Sequence, residues 1–406
     1  MSELIHLREP SASAGASKPA DVIAASAHDV FRGTAFFASL DGLRCLAILA
    51  VIWVHTGIRV EGITLTQRGY LGVDLFFAIS GFLITTLLLR ERERHGSISL
   101  GAFYMRRSLR IFPLYYTVVA FYAVFVWALE PATPTGRQFF ANLPYFLTYT
   151  SNWFVPLEGR VIFYFAWSLA TEEQFYLVWP SLEKLLRGWR VLWAIAGLLV
   201  LRTVVAYAVH GSMLAADPLW VRMVLSIHPA ILGGVVLAHL LHDRQTFAFV
   251  APLLASRWTA PAILIALFAA IEAGLPLAVI WLLMVALVGA VVIRESNGLA
   301  PFLRWRPVAH IGLVSYGMYL FHMLSYHAVK RLLAVAGLEQ SWLWFPATVI
   351  VATLVATLSF RYYESWFLHL KSRYARINSR RAVGLQMDLG SSAQSLSAPT
   401  KAADAN

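Results

Sequence analysis

The chain has one cysteine, Cys45, in 406 residues, so it cannot close an internal disulfide. It also lacks a His-Glu-x-x-His helix, a Cys-x-x-Cys pair and a Walker loop, so neither metal chemistry nor nucleotide hydrolysis is indicated. No Gly-x-Ser-x-Gly elbow is present. Charge is scarce: only 14% of residues are charged, with 22 acidic against 33 basic. A soluble protein of this length needs far more polar surface. Residues 1–36, rich in Ala and Ser, have no apolar core and read as a disordered cytoplasmic tail, not a signal peptide. The 371–406 end reads as basic and then disordered. No repeat of fixed period and no appended soluble domain are evident.

What the chain has is apolar length. It is 59% hydrophobic, in blocks of about 17–25 residues that match a ~30 Å hydrocarbon core. The predicted spans are 42–58, 71–89, 110–129, 163–186, 190–209, 220–241, 258–274, 275–293, 308–335 and 342–367. A further short or re-entrant segment is expected at 139–155, where protein would have to cover its backbone. The expected fold is an all-α polytopic membrane domain, residues 37–370, with about ten transmembrane helices.

The net charge of +11 could suggest nucleic acid, but its placement points to topology. Arg90, Arg92, Arg94, Arg106, Arg107 and Arg110 lie between the second and third spans. Lys184, Arg187, Arg190, Arg244, Arg257, Arg294, Arg304, Arg306, Lys371 and Arg373 fall on that same side. The opposite loops hold little beyond Arg59, Arg68, Arg137 and Arg160. This asymmetry places both termini in the cytoplasm.

Ionisable side chains inside spans are costly and mark functional candidates. The first span carries Arg44 and His55. Eleven residues of helix return to within about 20° of one face, some 16 Å along the axis. A fixed cation thus stands at the cytoplasmic mouth and an acid–base group toward the outer one. Snorkelling and a structural hydrogen bond are the bland readings. The second span adds Asp74 and Ser80 among glycines suited to close helix packing. At the start of the third, Arg106 and Arg110 are one turn apart with Arg107 flanking, a fork that suits phosphate. The fourth carries Glu172 and Glu173, pointing about 100° apart. Glu172 has the i,i+4 relation to Tyr176, and its carboxylate is expected to orient His55 or hold a sugar hydroxyl. Ser315, Tyr319 and His322 follow helical spacing in the ninth span. His239 and Asp243 fit a His-x-x-x-Asp pattern of soluble acyltransferases, but two positions at a cytoplasmic helix end are weak evidence.

Taken in order, these segments resemble the acyltransferase-3 family of integral-membrane O-acyltransferases, from about Phe37 to Phe367. The carriers are Leu40-Asp41-Gly42-Leu43-Arg44 with the arginine–ten–histidine spacing, Gly72-Val-Asp-Leu-Phe-Phe77, and Ile79-Ser-Gly-Phe-Leu83. Arg106-Arg107…Arg110…Pro113, Trp167-Ser168-Leu169…Glu172, and Ser315-Tyr316…Tyr319-Leu320…His322 follow. Phe360-Arg-Tyr-Tyr-Glu-Ser-Trp366 lacks the family's usual proline two places after the glutamate, which bears on how the last helix ends.

The resemblance implies transfer of an acyl group, most often acetyl, from cytoplasmic acyl-CoA to a hydroxyl of an extracytoplasmic carbohydrate such as a surface polysaccharide or glycolipid. It implies a multi-pass protein of the bacterial inner membrane, in contact with lipid, with no bound cofactor, metal or nucleic acid. Acyl-CoA would enter where Arg44, Arg106, Arg107 and Arg110 cluster. Asp74, Ser80, Tyr176, Ser315, Tyr319 and His322 would contact substrate. His55 would act as general base, with Arg44 and Glu172 as its catalytic companions. Sequence alone does not distinguish this from an acyl-histidine intermediate on His55. Acylation of a small acceptor such as a macrolide, or small-solute transport, are the other readings. A transporter's inverted repeats are not evident.

Overall fold

The computed structural model describes residues 27–338 and 340–372. Of the tails expected over residues 1–36 and 371–406, residues 1–26 and 373–406 lie outside the described residues. Every regular element among the described residues is helical. A short helix α1 (residues 27–33) precedes α2 (Ser39–His55), α3 (Leu71–His95) and α4 (Leu100–Leu129). Next come α5 (Pro134–Leu147), the single turn α6 (Ser151–Phe154), α7 (Ala166–Leu185) and α8 (Trp189–His210). They are followed by α9 (Leu219–Leu225), α10 (Pro229–His242), α11 (Arg244–Leu254), α12 (Thr259–Glu272) and α13 (Leu277–Ile293). The chain continues through α14 (Ala300–Leu303), α15 (Arg306–Leu313), α16 (Ser315–Val335) and α17 (Trp344–Ser359). A π-helical turn (Phe360–Glu364) then leads into α18 (Ser365–Ser372).

Packing begins before residue 37. Phe31 and Phe37 are buried, and Arg90 donates to the carbonyls of Phe31 (3.0 Å) and Thr34 (2.7 Å).

By length and composition, four helical segments suffice to cross a membrane: α3, α4, α8 and the run Ser341–Leu370. The count rises to six if α9–α10, bent by 46°, and α11–α12, bent by 73°, each form one span. This is fewer than the ten expected from hydropathy, for identifiable reasons. α2 and α13 have 17 residues each. α7 carries Glu172, Glu173, Glu183 and Lys184, and the 308–335 span is broken at Val314 between α15 and α16. The 220–241 break is built by Pro229 at the start of α10, where His228 Nδ1 accepts the Ala230 N–H at 3.3 Å. Such caps close a new helix and end the old one. The 139–155 segment is two short helices, α5 and α6, with Thr133 capping the first through Gly136 N–H at 3.0 Å.

α3 is the central helix, buried along most of its length, whereas α8 faces outward. Its closest partner is α10. A Cβ on Gly81 would overlap the Ile231 carbonyl, and one on Gly234 would overlap the Ala78 carbonyl. Backbone therefore meets backbone, which is how helices gain contact where lipid is as apolar as leucine. Trp127, Trp193, Phe249, Ile265 and Leu282 stand exposed on the outer helices, an apolar surface suited to lipid.

Candidate active site

Enclosed by α2, α3, α4, α7, α15 and α16 is a cavity of about 210 Å³. Helical period decides which side chains enter it. From α7 come Ser168, Glu172 and Tyr176, spaced i,i+4, with Glu173 beside them; α4 supplies Arg107 and Arg110, spaced i,i+3. Arg44 enters from α2, Ser80 from α3, and Ser315 and Tyr319 from α16.

Opposite charges are interleaved here. Arg44 Nη1 donates to Asp41 Oδ1 at 2.7 Å. The Arg107 guanidinium stands 4.2 Å over the Tyr176 ring, a cation–π contact strengthened by burial. Arg110 lies 5.9 Å from the Phe360 ring, in the π turn. Tyr176 donates its hydroxyl to Glu172 Oε1, so the Ser80 hydroxyl must donate to Tyr176. This Ser80–Tyr176–Glu172 relay joins α3 to α7 and fixes the carboxylate. Three arginines face Asp41, Glu172 and Glu173, so the cavity is rich in charge without a large excess of either sign.

At one end Tyr319 Oη lies 2.5 Å from Ser168 Oγ, and each approaches the Phe165 carbonyl. One turn further along α16, His322 donates Nδ1–H to the Tyr319 carbonyl at 2.5 Å. A carbonyl can only accept, so neutral His322 carries its proton on Nδ1 and keeps a lone pair on Nε2. That nitrogen is buried without a hydrogen-bond partner among the described residues. The His322 ring sits 4.9 Å from the ring of His55, at the last residue of α2. Tyr164 and Phe165 complete the surround, at 5.5 Å from His55 and 4.9 Å from His322 respectively.

Of the residues expected from sequence, Arg44, Ser80, Arg107, Arg110, Glu172, Tyr176, Ser315 and Tyr319 meet in this cavity. His55 and His322 pair with each other just beyond Tyr319. Two residues stand apart. Arg106 forms an ion pair with buried Glu91 at 3.0 Å, so the inward fork is Arg107–Arg110, not Arg106–Arg110. Asp74 accepts from Trp281 Nε1 at 2.7 Å and faces His228 Nε2 at 3.4 Å, bracing α3 against α13 and α10. His239 pairs with Glu183 and Asp243 caps α11, which gives the His-x-x-x-Asp pattern local structural work. Asp41, Glu173 and Tyr316 also line the cavity and were not singled out as site residues. Tyr316 was legible, since it stands i,i+3 from Tyr319. Glu173 was obscured because only one of two adjacent glutamates was expected to face Tyr176.

Several membrane-length helices around a buried, arginine-lined cavity with a histidine pair at its end define a helical membrane protein with a site suited to acid–base chemistry. The acyltransferase-domain profile matches residues 37–361, and the chain belongs to this acyltransferase family. It is 28% identical over 358 residues to the peptidoglycan O-acetyltransferase OatA of Listeria monocytogenes, covering 81% of this chain and 55% of that protein. It is 28% identical over 369 residues to the putative peptidoglycan O-acetyltransferase YrhL of Bacillus subtilis, covering 81% and 54%. A putative O-acetyltransferase of Staphylococcus aureus is 35% identical over 159 residues, 36% of this chain and 24% of that one. The chain thus spans about half the length of the first two relatives. No solved structure matches it.

Proposed function

We propose that the chain is a membrane O-acetyltransferase that moves an acetyl group from cytoplasmic acetyl-CoA to a carbohydrate hydroxyl across the membrane. The acceptor class follows from the relatives, two of which are named for peptidoglycan. The setting is the bacterial inner membrane, with about ten crossings and both termini cytoplasmic. The observation that carries the reading is the His55–His322 pair, set at one end of a cavity whose other walls bear Arg44, Arg107 and Arg110.

The acyl end of the donor would occupy the cavity, whose volume of about 210 Å³ leaves the nucleotide portion outside. Arg107 and Arg110 would hold the donor there. His55, only half-buried, is the accessible ring of the pair. It would take the proton of the acceptor hydroxyl as that oxygen attacks the thioester carbonyl. The tetrahedral adduct then expels the CoA thiolate, which the imidazolium reprotonates. His322, held by the Tyr319 carbonyl, would pack against the His55 ring and limit its rotation. Glu172, fixed by Tyr176, would balance the arginine charge. Purified protein supplied with radiolabelled acetyl-CoA and glycan fragments tests the reading directly. Label in the glycan, released by mild base as expected for an ester, supports it; donor turnover without glycan label overturns it.

A further inference from the structure

α7 is a shared wall. Ser168, Glu172 and Tyr176 face the arginine cavity, while Trp167 and Thr171, one position earlier in each turn, face a second cavity of about 410 Å³. Phe77 stands between the two. It lines the first, and its ring lies 6.3 Å from Trp167 and 4.6 Å from His228, which line the second. The second cavity is built from α6, α9 and the segments flanking them. These lie on the side where α2 ends at His55, away from the arginine-rich connection between α3 and α4.

Its polar groups are organised, and the Ser151 hydroxyl is left without a partner among the described residues. Asn152 and Gln174 exchange amide hydrogen bonds at 2.9 Å each, and Gln174 also donates to the Tyr149 carbonyl at 2.8 Å. This clamp pins α6 to α7. Beside it, Ser151 is 3% exposed and its Oγ has no hydrogen-bond partner among the described residues. Buried hydroxyls are almost always satisfied, so this one calls for a ligand group. Across the cavity Arg222 is anchored to the Trp153 carbonyl at 2.9 Å and reaches Asp217 only at 3.4 Å, with the Asp217 side chain 93% exposed. A loose, open carboxylate–guanidinium pair offers acceptor and donor side by side to adjacent hydroxyls. The charges cancel, which disfavours a phosphate. The Trp167 ring adds an apolar face with a polar edge.

From this arrangement we infer that the second cavity is a glycan subsite. It holds an uncharged sugar ring against Trp167, hydrogen-bonded to Ser151 and bracketed by Asp217 and Arg222, while a neighbouring ring of the same chain is acylated. The assignment rests on the acyl-transfer reading for its purpose, but its test does not. Full-length protein in detergent micelles, with no acyl donor, is titrated calorimetrically with N-acetylglucosamine tetramer and with soluble peptidoglycan fragments. Saturable binding is expected for at least one probe. Trp167→Ala should weaken it about tenfold or more, as loss of a central aromatic anchor does. Trp167→Phe should restore most of it, and Ser151→Ala should cause a smaller loss. Trp193→Ala, on the exposed face of α8, should leave it unchanged. Should Trp167→Ala fail to fold, Ser151→Ala and Asp217→Ala carry the same test. Absence of binding by the wild type, equal binding by all variants, or displacement of the sugar by phosphatidylglycerol vesicles alone would overturn the assignment. Binding without any acetyl transfer would instead overturn the enzymatic reading and leave the subsite standing.

Discussion

The rings of His55 and His322 lie 4.9 Å apart and are inclined by 42°. One belongs to the end of α2 and the other to the first half of α16, so segments far apart in the chain bring two imidazoles together. Ring packing of this kind limits the orientations open to His55.

His55→Ala should therefore lower acyl transfer by about 10²–10⁴-fold, the usual worth of a placed base. Donor binding should survive in folded protein. His322→Ala should act in the same direction, and the double variant should be little worse than the more damaging single one, since residues acting as a unit are not additive. Near-normal transfer by purified His55→Ala would return that ring to a structural role.

The arginines should separate by face. Arg107→Ala and Arg110→Ala should raise the apparent KM for acetyl-CoA, because their side chains enter the cavity. Arg106→Ala should instead lower the thermal midpoint, because Glu91, 1% exposed, loses its cation and a buried charge without its partner is costly. If Arg106→Ala alone impaired donor use, the assignment of faces would be reversed.

Asp74 should prove a brace. Asp74→Ala leaves the indole N–H of Trp281 and the imidazole of His228 without their acceptor, at about 1–3 kcal/mol for each orphaned group. Asp74→Asn keeps an acceptor oxygen and should be milder. Thermal unfolding in detergent reads the difference, and equal midpoints for both variants and wild type would remove Asp74 from the framework.

Orientation has its own check. A reporter fused near residue 98 should signal cytoplasm and one near residue 214 the outer side, as the arginine asymmetry requires. Reversed signals at both positions would place the arginine cavity on the wrong face for a cytoplasmic donor.

The all-helical membrane fold was legible in the chain because hydrophobic length is a strong signal, although it gave more spans than the four to six helical segments long enough to cross. The eleven-residue spacing of Arg44 and His55 survives as one helix, α2, reaching from the cavity to the histidine pair. Rotation was harder to read. In a helix apolar on nearly every side no stripe marks the interior, and a one-residue error turns a side chain by about 100°. That step separates Arg106, paired with Glu91, from Arg107 in the cavity. The break at Val314 was hidden for another reason. Val314 is apolar and buried, so hydropathy runs through it without interruption, whereas Pro229 marks the break at 226–228.

The contact of Gly81 with the Ile231 carbonyl and of Gly234 with the Ala78 carbonyl also constrains how the protein can move. Two helices meeting backbone to backbone at two points cannot slide or roll independently without collision, so α3 and α10 form a single rigid strut. Ser80, in the arginine cavity, and His228, on the second cavity, are mounted on this strut. One wall of the first cavity and one corner of the second therefore share a support. Any opening that admits or releases a substrate must come from elements hinged to the strut, with the 46° bend between α9 and α10 the nearest joint.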